Sequence, residues 1–271
     1  MVDSSYILAP PVVQVRFALL PALNALESIR EIEEINRLSG FAEWVTRTAA
    51  ILPQERRDLN NILFKAFEPL FFHVLPASGN YSDFLGYVDA IAAQEPVAMR
   101  DQILQGFTYY IQHKPELWSA EKGELTAERL LNEEKVFLSF IGATCENTEF
   151  NEPLMRRGYT YLRDPALLQA TVVEHLRWMW NEVVVDEWQR VEPMLRDSIA
   201  AFEKLDFSNM TAYEAIRAVT TRDVRGKAIE KGAAIDMLVF VPSAHIGPYI
   251  VQIAWENILY VIFGARLPRG V

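Results

Sequence analysis

Ser243 and His245 are the residues whose types and spacing come nearest to catalysis in this chain. They stand in the run Pro242-Ser-Ala-His-Ile-Gly-Pro248, between two apolar segments rich in β-branched residues. A hydroxyl two positions from an imidazole offers a nucleophile and a base, the parts of an acyl-transfer site. Such a pair works only when a third group orients the imidazole, and the sequence names none. The nucleophile elbow Gly-x-Ser-x-Gly is also missing. A small-molecule hydrolase built on the Ser243/His245 loop is therefore an alternative function rather than the leading one, as is a structural protein-interaction module with the aromatic helices as its partner face.

Metal chemistry finds less support. His73, His113, His175 and His245 form no His-x-His or His-x-x-x-His pair, and Cys145 is the single cysteine. No metal site and no cofactor are expected from such spacing. His175, beside Glu174 and with Glu182 further along, reads as a structural histidine. Cys145 follows an apolar helix and reads as a small packed thiol. Neither phosphate cradle, Gly-x-x-x-x-Gly-Lys or Gly-x-Gly-x-x-Gly, occurs. The adjacent carboxylates Glu33–Glu34 and Glu133–Glu134 diverge by about 100° on a helix, so they read as solvated surface. The basic pairs Arg56–Arg57 and Arg156–Arg157 read as solvated helix faces too.

Binding is better served than catalysis. Trp178, Trp180 and Trp188 lie close together, with His175, Arg177 and Met179 alongside. Trp180 falls on the buried stripe of its helix and Trp178 points roughly the other way. An aromatic-lined apolar pocket with a few polar handles suits a small hydrophobic or aromatic ligand. The expected lining is Trp178, Trp180 and Trp188 from helices, with Ser243, His245 and Tyr249 from the loop. Plain core packing with a helix-packing interface is the simpler account of the same tryptophans.

These side chains need a scaffold, and the chain reads mainly as helix. Period-two alternation of Val13, Val15 and Phe17 predicts a strand over 11–19, and apolar runs predict strands over 237–241, 249–253 and 258–263. Pro21 opens a helix carrying Leu23, Leu26, Ile29, Ile32 and Ile35, which Gly40 ends. Helices are predicted over 41–52, after Pro53, from a Ser82 cap, from Pro96 and from a Thr126 cap. Asp164-Pro165 starts another, and Thr211 with Glu214 forms a capping box. Pro69 should interrupt the third helix. A loop is predicted over 76–80, and Val183–Val185 read as a break before an Asp186 cap. The chemistry shifts towards strands after Arg225-Gly226. The fold class expected is mainly α with a small antiparallel β-sheet (α+β): one domain over 1–271, a multi-helix body closed by terminal strands.

Composition sets the outer bounds. The 271 residues are 51% hydrophobic and 11% aromatic, enough for a substantial core and against intrinsic disorder. Acidic residues number 36 against 26 basic, a net charge of -10, which argues against this chain itself gripping nucleic acid. A lone cysteine fits a reducing cytoplasm. The N-terminus lacks signal-peptide character, and no apolar run reaches the roughly 18 residues of a membrane span, so no membrane role is expected.

Three stretches carry a family resemblance. Val15-Arg-Phe-Ala-Leu-Leu-Pro-Ala-Leu-Asn-Ala-Leu26 resembles the opening of a group of bacterial transcription regulators. In that group a large N-terminal region precedes an ArsR-type winged helix-turn-helix. Trp188-Gln-Arg-Val-Glu-Pro-Met-Leu195 is similar to a later segment, as is Leu238-Val-Phe-Val-Pro-Ser-Ala-His-Ile-Gly-Pro-Tyr249 followed by Phe263-Gly-Ala-Arg266. The resemblance implies the effector-binding and dimerisation region of such a regulator, a non-catalytic homodimer. DNA would be read only by a winged-helix domain expected after 271. The metal-sensing cysteines of shorter members have no counterpart here, so no metal site is carried over.

Overall fold

A computed structural model of the chain describes residues 13–69, 71, 83–145, 150–223, 235–255 and 257–268. The predicted loop at 76–80, the Ser82 cap, His73, the shift at 225–226 and the first residues of the 11–19 strand lie outside them. The fold is α+β, as the sequence predicts. It divides into two compact units, one over 21–39 and 43–187, the other over 1–20, 40–42 and 188–271.

The first unit is helical, and local capping explains most of its boundaries. α1 (Pro21–Glu34) begins on its proline and buries Leu23, Leu26, Ile29 and Ile32. It also buries Asn24, Glu27, Ser28 and Glu31, a polar set that its apolar spacing does not announce. α2 (Glu43–Ile51) and α3 (Gln54–Ala66) follow, the latter entered through Pro53 and ended before Pro69. Arg57 donates to the carbonyls of Leu52 at 2.9 Å and Ala50 at 3.3 Å, satisfying the exposed end of α2. α4 (Phe84–Ala93) is capped by Asp83 and α5 (Pro96–His113) by Glu95 with proline behind it. Thr126 caps α6 (Ala127–Asn132), which Glu133 separates from α7 (Glu134–Thr144). Asn151 caps α8 (Glu152–Arg163), and Asp164 caps α9 (Pro165–Met179).

Two expectations are corrected here. Val183–Val185 do not break the helix: a π-helical turn, Trp180–Val184, carries α9 directly into α10 (Val185–Phe202). Valine costs a helix only a few tenths of a kcal/mol, and Val184 is buried, so packing retains the helical path. Arg56 and Arg57 are half-buried rather than solvated, whereas Arg156 does lie on an exposed face. Besides Arg57 at α2, Arg56 pairs with Glu174, Arg156 with Glu134 and Glu152, and Arg157 with the Tyr161 hydroxyl.

Close approach inside this unit has a testable cost. A β-carbon on Gly106 of α5 would lie 2.4 Å from the Cβ of Pro69. Gly106→Ala is expected to force the two segments apart and lose about 1–3 kcal/mol, the usual range for overpacking, despite alanine's better helix propensity. Urea denaturation of the two proteins measures it; equal or greater stability of the variant would show that Pro69 yields freely.

The second unit holds the sheet. β1 (Gln14–Phe17), β2 (Met237–Ser243), β3 (Ile250–Trp255) and β4 (Ile258–Gly264) are ordered β1-β2-β4-β3. The sheet is mixed, not antiparallel throughout. β1 pairs parallel with β2 and β2 parallel with β4, and only β3–β4 is antiparallel. β3 ends at Trp255 and β4 starts at Ile258, too short a link for anything but antiparallel pairing, whereas β1 and β2 are separated by most of the chain, a crossover long enough for parallel pairing. β4 inserts between β2 and β3, so these two sequence neighbours never pair. Against one face pack Phe202 of α10 and Ala215, Ile216 and Val219 of α11 (Ala212–Thr220), whose start is the predicted capping box. Phe17 stacks on Phe202 and Phe240 with ring centres 5.6 and 5.3 Å apart, and Phe263 meets Phe202 edge-on. Such contacts add about 0.5–1.5 kcal/mol each beyond buried area.

Candidate functional site: a groove at the carboxyl ends of the parallel strands

Parallel pairing places the carboxyl ends of β1, β2 and β4 along one edge of the sheet, the side where ligands collect in open sheets with parallel strands. The loop after β2 is built there by its own residues. Ser243 is 1% exposed, and its Oγ accepts the His245 backbone N–H at 3.3 Å. The His245 carbonyl accepts the N–H of Ala42, also at 3.3 Å, so the 40–42 segment docks on the loop. Gly247 makes that docking possible: its φ is +60°, and a β-carbon would sit 2.1 Å from the Gly40 carbonyl oxygen. Tyr249 then turns its ring against Phe41, with centres 5.3 Å apart.

A groove of about 380 Å³ opens beside this loop. One wall is Gly247 to Ile250, a second is Phe263 to Arg266 at the end of β4, and the third is Thr220 to Arg222 after α11. Gly264 lets the walls approach, since a β-carbon there would meet the Gly247 oxygen at 2.9 Å. Thr221 has a left-handed φ of 55°. That conformation costs a threonine roughly 1 kcal/mol, and strained residues gather at ligand sites. Arg266 fastens the walls together. Its main chain exchanges hydrogen bonds with Ser198 Oγ, donated at 3.3 Å and accepted at 2.7 Å. Its guanidinium donates to Thr221 Oγ1 at 2.8 Å and to the Val219 carbonyl at the end of α11, where a cation also meets the negative end of the helix dipole.

The lining residues include two arginines, Arg222 and Arg266, beside Tyr249, Ile250 and Phe263, and no acid. The acid next in sequence, Asp223, accepts a hydrogen bond from the Tyr213 hydroxyl. A cationic, partly apolar groove on a chain of net charge -10 is a local inversion of sign. It would concentrate small anions, and a carboxylate fits the planar fork of a guanidinium.

Of the six expected ligand residues, Ser243, His245 and Tyr249 belong to this one loop, and Tyr249 lines the groove. Ser243 and His245 lie beneath it, buried, and shape the loop. Trp188 is half-buried on α10 of the same unit. Trp178 and Trp180 belong to the helical unit. Trp180 is core there, stacked on Phe84 at 5.1 Å. Trp178 lies under the Arg56 guanidinium, 4.5 Å from its ring centre, and lines a surface groove of about 420 Å³ formed by 170–182 alone. One helix lines that groove, whereas three elements converge on the sheet-end groove, which is why the latter is the better site.

The helical unit holds a second polar arrangement that the sequence did not reveal. His175 is fully buried, with Nε2 2.7 Å from Asn60 Oδ1 and Nδ1 3.4 Å from an Arg56 nitrogen. Arg56 also donates twice, at 2.8 Å, to Glu174. Burial, aided by the Arg56 charge, lowers the His175 pKa to about 4. Glu33, which also meets Asn60, is half-buried rather than solvated. Burial raises its pKa to about 7, against the pull of Asn60, Lys65, Asn61 and Arg57. Burial and the Glu27 charge also raise the Glu31 carboxyl well above its ordinary range, and its carboxylate oxygens have no hydrogen-bond partner among the described residues. These groups define a proton-sensitive core, and among the described residues no group of three or more His, Cys, Asp or Glu is placed to hold a metal ion.

No protein-family model, curated protein or solved structure matches the chain. Among the described residues no helix is long and apolar enough to cross a membrane.

Proposed function

We propose that this chain is the non-catalytic sensing and dimerisation region of a bacterial, cytoplasmic transcription regulator, with DNA read by a separate winged-helix domain. Its effector is a small organic carboxylate with an apolar or aromatic body, bound in the sheet-end groove. The observation that supports this most is the convergence of Arg222 and Arg266 with Tyr249 and Phe263 around one groove. A bound carboxylate would bridge the end of α11 and the 244–249 loop. Its differential affinity for one arrangement of these elements would shift their equilibrium, which is what a sensing domain transmits.

The test is a panel of aromatic and aliphatic carboxylates screened by thermal shift, with hits titrated by calorimetry. Arg222→Ala and Tyr249→Ala should each weaken a hit about tenfold, 1.4 kcal/mol, with little change in the melting temperature of the free protein. Arg266 is not a clean probe, because it also fastens α11 to β4. Hits that bind undiminished to both variants, or lose affinity only in Trp178→Ala, would place the effector elsewhere and sink this reading.

A further inference from the structure

Among the described residues β3 is an edge strand, and its own sequence carries neither charge nor proline. Proteins normally protect an open edge with lysine, proline, a bulge or a short strand. β3 runs Ile-Val-Gln-Ile-Ala-Trp over six residues with no charge and no proline, and its register with β4 is continuous from Ile250 to Trp255. Its residues are half-exposed, and Ala254 is exposed. The opposite edge is different: β1 has four residues and includes Arg16. In an antiparallel ladder every second residue bonds the neighbouring strand, and the others turn N–H and C=O outwards. The outer side of β3 is thus a row of alternating donors and acceptors. Among the described residues no strand lies beside it.

We propose that this edge is the seam of a homodimer, formed by antiparallel pairing of β3 with β3 of a second copy. The proposal rests on the dimerising role argued above and names the surface that serves it. A second copy is the favoured occupant for two reasons. An antiparallel strand pair has two-fold symmetry, so one edge is complementary to itself and the contact closes at two subunits. Charge points the same way. Two chains of net charge -10 repel over most of their surfaces, but neither β3 nor its neighbour β4 carries a charged residue. The copies therefore meet at least electrostatic cost along this seam. Ile250 also lines the sheet-end groove, so the seam starts at the groove wall and an effector there would touch the dimer contact.

Sedimentation equilibrium of the full chain without ligand tests this. The expected species has twice the 31.0 kDa monomer mass, and its association should tighten with salt, because backbone pairing is kept while the net repulsion is screened. Ala254→Lys should weaken the dimer about tenfold or more, and Ala254→Thr, which preserves strand propensity, should not. Hydrogen exchange on the wild type gives a readout that survives a misfolded variant: amides of 250–255 should gain protection as concentration rises. A wild type that remains at 31.0 kDa, a dimer indifferent to Ala254→Lys, or protection independent of concentration would each overturn the seam. So would a monomer whose β3 pairs only with a different protein. None of these outcomes depends on an effector, so the groove stands or falls separately.

Discussion

Gly247→Ala is expected to destabilise the sheet-bearing unit by about 2–5 kcal/mol and to abolish ligand binding in the groove. Two costs add. The first is conformational: φ is +60°, where an L side chain costs roughly 1–2 kcal/mol. The second is a collision, since the new methyl would lie 2.1 Å from the Gly40 oxygen and 2.9 Å from the Gly40 carbonyl carbon. Both are backbone atoms, so no rotamer change relieves the contact. The 40–42 segment or the 244–249 loop must move, and the Ala42–His245 hydrogen bond and the Phe41–Tyr249 contact go with it. Relief by local movement sets the lower bound; clashes of this kind in packed regions cost 1–3 kcal/mol by themselves. Chemical denaturation gives the stability, and calorimetry with a groove ligand gives the binding. A variant as stable as the wild type and with full affinity would mean that this docking is not what shapes the groove.

How far this could be read from residues depends on how local the cause is. Proline positions, Asp164-Pro165 and the Thr211–Glu214 box set helix starts through contacts three residues apart, and these were legible. The three C-terminal strands were legible from their β-branched runs. Strand order was not, because nothing within 237–264 states that β4 inserts between β2 and β3. The mixed pairing follows from that insertion. The site divides in the same way. Tyr249 was marked by its place after the Pro242–Pro248 loop, but Arg222 meets it only through the packing of α11 on the sheet. Trp178 and Trp180 were marked for composition, yet one is under a guanidinium and the other is core. Glu33, paired with Glu34, reads as solvated surface because adjacent carboxylates on a helix usually face water, and the sequence does not mark Glu31 at all. Their burial comes from elements outside α1, among them α3 for Glu33, which α1 cannot announce.

That same burial makes the stability of the helical unit depend on pH in a way that two substitutions can separate. Glu33 has a folded pKa near 7 against an ordinary value of 4.5. Between those limits the folded state holds a proton that the unfolded state has released, so stability falls as pH rises from 4.5 to 7. Glu31 is shifted the same way and adds to the fall. His175 has the opposite sign. Its folded pKa is near 4 against 6.5, so the unfolded state takes up the extra proton, and stability falls as pH drops from 6.5 towards 4. Over the shared window from about 4.5 to 6.5 the Glu33 and His175 slopes oppose each other. Glu33→Gln keeps the shape and the amide contacts but cannot ionise. It should be neutral near pH 4 and stabilising by about 1–3 kcal/mol at pH 8, the upper figure being the whole shift at 1.36 kcal/mol per pKa unit and the lower allowing for its part-exposed side chain. His175→Gln should lose stability at every pH, since it disturbs the 2.7 Å contact with Asn60 in a fully buried position. Its loss should shrink towards pH 4, where the wild-type imidazole is forced to charge in the core. Urea midpoints of the three proteins across pH 4 to 8 give both curves. A Glu33→Gln gain of equal size at pH 4 and pH 8 would mean that packing, not ionisation, governs that position, and the proton-sensitive core would reduce to His175 and Glu31.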